Sequence, residues 1–63
     1  MMRVKWFFQG EDFEHDSEVE SGSDFLTALK LVNVVSYDGQ EYRIIDTEIV
    51  IDNEPYIAIL VEA

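Results

Sequence analysis

The chain has no cysteine, which removes disulfides and thiolate metal sites together. Cations are nearly as scarce. Arg3, Lys5, Lys30 and Arg43 stand against fourteen carboxylates, and the formal net charge is −10. Phosphate backbones and anionic lipid repel a surface of that sign, so direct binding to nucleic acid or to a membrane surface is not expected. Long apolar runs are missing too. No stretch approaches the roughly 20 residues that span a bilayer, and the only apolar run near the N-terminus, Trp6 to Phe8, is too short for a secretory signal. The expected location is cytoplasmic. Gly10, Gly22 and Gly39 are scattered, and none belongs to a phosphate-cradling loop ahead of a basic helix start.

What remains is a short, apolar, acidic chain. Its 63 residues make one domain, and a domain of that size buries only about 60% of its unfolded surface. With 48% hydrophobic residues and eight aromatics, it is too apolar to stay disordered. Disulfides are excluded, so self-association is the remaining way to widen a thin stability margin.

Charge is laid out unevenly. Seven of the fourteen acidic residues fall between Glu11 and Asp24, where there is no Lys or Arg. The expected organisation is a single domain, 1–63, with an acidic loop at 11–23 between two ordered parts. Before it, Arg3 to Phe8 alternates with period two and reads as a strand. After it, Ser23 is a suitable N-cap, and Phe25, Ala28, Leu29 and Val32 recur at helical spacing, predicting a short helix over 24–32.

Asp38-Gly39 is a strong two-residue hairpin signal, because both central positions of a type I′ turn take positive φ. The second arm, Glu41 to Ile51, changes phase midway, predicting a bulge near Ile45-Asp46. Tyr56 to Val61 is apolar at every position and reads as a central strand covered on both faces. The expected fold is therefore α+β: a four-stranded, mostly antiparallel sheet (strand, helix, three-stranded meander) with one helix on one face. A small bent-sheet barrel is the alternative. Val4, Trp6, Phe8, Phe25, Leu29, Ile49, Ile57 and Ile59 are the expected core. One short helix leaves Phe7, Tyr42, Ile44, Tyr56, Ala58 and Leu60 for the opposite face, the expected surface of a homodimer.

Candidate chemistry is sparse. Asp12, Glu14, Asp16, Glu18 and Glu20 recur at every second position, about 6.6 Å apart on an extended backbone. The competing explanation for that run is a solvated segment that only keeps the protein soluble. As a calcium loop, the run has Ser17 where the turn glycine belongs and Ser23 where the bidentate Glu belongs. His15 is the only histidine, with no His or Cys to share a zinc ion and no triad around it. Trp6, Phe7, Phe8 and Phe13 lack the basic groove that base stacking needs. Arg3 and Lys5 are expected to pair across strands with Asp46 or Glu48, and Arg43 with Glu41 or Glu54.

No catalytic residue, cofactor or metal ligand is predicted, and the chain is not read as an enzyme. The expected function is a non-catalytic protein-interaction module, self-associating, that presents Glu11, Asp12, Glu14, Asp16, Glu18 and Glu20 to a basic partner. The alternatives are a nucleic-acid mimic that inhibits a DNA-binding protein, and a weak divalent-cation-binding module.

Overall fold

A computed structural model describes all residues, 1–63. Five strands and one helix follow in the order β1 (Met2–Phe8), β2 (Glu14–Val19), α1 (Gly22–Leu29), β3 (Val34–Tyr37), β4 (Gln40–Val50) and β5 (Tyr56–Glu62). The strands form one sheet in the order β2-β1-β5-β4-β3. β1 and β5 run parallel at its centre, and every other pair is antiparallel. The expected four-stranded antiparallel sheet is thus corrected to a five-stranded mixed sheet, curled into a half-barrel. The bent-sheet alternative comes nearer.

The fifth strand comes from the acidic segment. Residues 14–19 pair with β1, Glu14 opposite Phe7 and Val19 opposite Met2, so the middle of the expected loop is an edge strand. Alternation explains why it pairs. His15, Ser17 and Val19 turn inward and are half-buried, while Glu14, Asp16 and Glu18 turn outward and are exposed. The inward serine is not wasted, because the Trp6 indole N–H donates to Ser17 Oγ at 3.2 Å.

β2 and β3 lie at opposite edges of the sheet, so the connection between them must cross one face. α1 makes that crossing. Ser21, not Ser23, caps it, its Oγ accepting from the Asp24 amide at 3.2 Å. Phe25, Leu26 and Leu29 pack on the core, and the Phe25 ring meets Trp6 edge-on with centroids 6.1 Å apart.

The core is Val4, Phe8, Tyr42, Ile57, Ile59 and Val61. Ile57, Ile59, Val4 and Val61 are sealed completely, as befits facing residues of the two central strands. Trp6, Phe25 and Leu29 join only as half-buried neighbours. Ile49 was expected inside but is 53% exposed, because the eight-residue helix ends before covering the far half of β4.

β4 changes phase where expected. Its register against β5 skips a residue between Ile44 and Asp46. Ile44 and Tyr42 face the core on one side of this bulge, and Thr47 and Ile49 face it on the other. Asp46 and Glu48 are therefore outside. The Asp38-Gly39 turn also forms as predicted, with φ of 52° and 79°. No helix is long and apolar enough to cross a membrane.

Candidate interaction surface

The sheet's outer face, away from α1, is organised in ranks fixed by strand register. Across the first rank stand Glu14 (β2), Phe7 (β1), Leu60 (β5) and Asp46 (β4). Across the second stand Asp16, Lys5, Ala58 and Glu48, and across the third Glu18, Arg3, Tyr56 and Val50. Carboxylates thus form a row of three on β2 and a row of two on β4. Between the rows runs a stripe of Phe7, Leu60, Ala58 and Tyr56. Ala58 offers only a methyl group, so Phe7, Asp46, Glu48, Ala58 and Leu60 line a depression of about 190 Å³.

The cations do not neutralise these rows. Arg3 pairs with Glu54 at 2.9 Å and Arg43 with Glu62, and no other salt bridge forms. The Glu62 carboxylate raises the Arg43 pKa above the usual guanidinium value, through its hydrogen bond first and its charge second. Lys5 sits beside Asp16 in register, yet its Nζ lies 4.9 Å from the centroid of the Tyr56 ring. The expected pairing of Arg3 or Lys5 with Asp46 or Glu48 is replaced by these contacts, as is that of Arg43 with Glu41 or Glu54. Glu14, Asp16, Glu18, Asp46 and Glu48 all stand without an ion-pair partner.

The predicted partner-binding residues divide accordingly. Glu14, Asp16 and Glu18 share one face of β2; Glu11, Asp12 and Glu20 lie in the turns at its two ends and are exposed. Extended geometry sets the three strand carboxylates about 6.6 Å apart in a line, and no group of three or more His, Cys, Asp or Glu converges on one point.

Of the six residues expected on the self-association face, the outer face holds Phe7, Tyr56 and Leu60, each half-buried, and Ala58, which is buried. Tyr42 and Ile44 are on the inner face instead: Tyr42 is core, and Ile44 packs against it. Placing Tyr42 and Ile44 outside put the β4 alternation in the wrong phase before the bulge. Asp46 and Glu48, expected as ion-pair partners of Arg3 and Lys5, stand unpaired on the anionic surface instead. The phase change in the β4 pattern places them there, since it sends both to the face opposite Thr47 and Ile49.

Three concavities lie elsewhere. Trp6, Phe8, His15, Val35, Ser36 and Tyr37 line one of about 180 Å³ between the two sheet edges. A second, of about 340 Å³, runs between α1 and β4, from Leu26 and Leu29 to Ile49. A third, of about 280 Å³, lies beside Phe13, Tyr37 and Tyr42. None gathers nucleophile, base and orienting group as catalysis would require. No family model, curated protein or solved structure matches the chain.

Proposed function

We propose that this protein is a non-catalytic interaction module whose acidic edge, Glu14, Asp16 and Glu18 with Glu11, Asp12 and Glu20 at the strand ends, engages a basic protein partner. One observation carries the reading: Glu14, Asp16 and Glu18 stand in an ordered, outward row along β2, and all of the chain's salt bridges form elsewhere. Ordered, unpaired charge is already arranged for a partner, so binding it costs little reorganisation. A field of this sign steers a basic partner and speeds its association, and added salt weakens the effect.

The same carboxylates have a structural use. β2 exposes an unpaired strand edge, and charge on such an edge blocks pairing with another chain's edge. The two roles are separable by experiment. Proteins captured from a cell extract at low salt by the immobilised protein should be released at moderate salt. They should also be lost with the E14Q/D16N/E18Q variant, provided its circular dichroism matches the parent. Undiminished capture of the same proteins by the neutralised variant, at either salt, would end this reading and leave edge protection as the only role of the row.

A further inference from the structure

We infer that the partner element recognised by this protein is a basic amphipathic helix, seated along the outer face of the sheet between the two carboxylate rows. The inference rests on the interaction-module reading and narrows it to one surface and one kind of partner.

Geometry supplies the first argument. The β2 row and the β4 row are three inter-strand steps apart, or about 14 Å at about 4.8 Å per step. An α-helix with its side chains is about 10–12 Å across. A helix laid along the strands therefore fits between the rows, its apolar face on Phe7, Ala58 and Leu60. The small side chain of Ala58 leaves the depression into which one apolar side chain of the partner would project.

Charge supplies the second. In the first rank the apolar pair Phe7 and Leu60 is flanked by Glu14 and Asp46, and in the second Ala58 and Lys5 are flanked by Asp16 and Glu48. A helix with one apolar stripe and Lys or Arg on either side matches the order of acid, apolar, acid in the first rank, which Lys5 interrupts in the second. Long basic side chains keep their stems on apolar surface and extend their heads sideways. Because the sheet curls towards its inner face, the outer face is convex, and those heads reach down both flanks. Lys5, drawn over Tyr56, marks the end of the stripe where a basic helix is least welcome. Docking is thereby biased to the Phe7–Leu60 end.

Charge also argues against a second copy on this face. Two copies stacked here would bring carboxylate rows of one sign together; Arg3 and Arg43 are held by Glu54 and Glu62, and only Lys5, over Tyr56, is left to offset five carboxylates in each copy.

The test uses two synthetic peptides of identical Leu and Lys composition. One spaces Leu at i, i+3, i+4 and i+7; the other is scrambled so that no apolar face forms. Amide chemical shifts of the labelled full-length protein report where each binds, and calorimetry reports how tightly. The amphipathic peptide should shift Phe7, Asp46, Ala58 and Leu60, and bind about tenfold or more tightly than the scrambled one. Asp46→Asn with Glu48→Gln, both exposed positions, should weaken it by a similar factor while circular dichroism stays unchanged.

Four results would overturn the inference. Shifts confined to β2, with the D46N/E48Q variant binding like the parent, would do so while leaving the broader reading intact. Equal binding of both peptides would do the same. Concentration-dependent shifts at Phe7 and Leu60 without peptide would assign the face to self-association. Absence of binding by either peptide would remove the inference and, together with salt-insensitive capture, the broader reading as well.

Discussion

The rings of His15 and Tyr37 belong to strands at opposite edges of one sheet, yet their centroids lie 5.1 Å apart. Phe13 and Phe8 complete the contact, 5.9 Å and 5.2 Å from Tyr37. No backbone hydrogen bonds join β2 to β3, so aromatic side chains alone bridge the gap. Each such pair contributes about 0.5–1.5 kcal/mol beyond the area it buries. Tyr37→Ala, which removes three of them from a half-buried site, is expected to cost about 2 kcal/mol. Urea denaturation would measure it. A loss near zero would mean that the half-barrel does not depend on this bridge.

Two isoleucines that face the same side of the sheet should respond very differently. Ile57 is fully buried and Ile49 is 53% exposed, although they are direct neighbours in register. Ile57→Ala should cost about 2–5 kcal/mol, a large fraction of what a chain this small can lose. Ile49→Ala should cost under about 1 kcal/mol. Comparable losses at both positions, in the same denaturation experiment, would show that something covers the outer half of β4 in solution.

Neutralising the β2 row should make the fold more stable and the solution less so. The E14Q/D16N/E18Q variant reduces like-charge repulsion in a chain of net charge −10, so its melting temperature is expected to rise by a few degrees, about 1 kcal/mol. It also removes the charge that guards an open strand edge, so light scattering should increase during storage at high concentration. A variant that stays monodisperse would show that β2 needs no such guard.

Salt should stabilise the unmodified protein. Its two ion pairs are solvent-exposed and pairs of that kind contribute little, whereas screening relieves the repulsion among the other carboxylates. A melting temperature that falls as salt rises would reveal attractive pairs more important than these. Arg43 adds no pH dependence of its own near neutrality. Its folded pKa is raised, so the stabilisation is fully present below the unfolded value and disappears only as pH climbs through the folded one. An Arg43→Gln variant should therefore keep the parent's stability profile in shape from about pH 5 to about pH 9.

Much of the sheet was legible from side-chain alternation and turn chemistry. β1 reveals itself in Val4, Trp6 and Phe8, β5 in its unbroken apolar run, and the hairpin in Asp38-Gly39. The bulge shows in the shift from Tyr42 and Ile44 to Thr47 and Ile49. Strand β2 was not legible, because Glu, Asp and Ser have low strand propensity and His15, Ser17 and Val19 make a weak inward face. Its period of two is plain, but the acidic side of the alternation outweighs the weakly apolar half-buried side. Missing β2 also hid the parallel centre. A meander starting from β3 gives no reason to place β5 beside β1, whereas a hairpin of β1 and β2 leaves the other side of β1 free for it. The helix was correctly placed in outline, but tertiary packing selects Phe25, Leu26 and Leu29 and leaves Ala28 and Val32 exposed.

The bulge at Ile45 acts as a parity switch for the outside of the molecule. Were β4 to run straight through Ile45 at its present length, the strand beyond would turn over: Asp46 and Glu48 would fall opposite Ile59 and Ile57, and Thr47 and Ile49 would face the outer side. Pairing with β5 would then demand that two carboxylates be buried, which is costly, so the surplus residue stays out of the ladder. Deleting Ile45 leaves Ile44 opposite Val61 and Asp46 opposite Leu60, so the outer acids should survive a single-codon deletion at that position, whereas an added residue there would put them at risk.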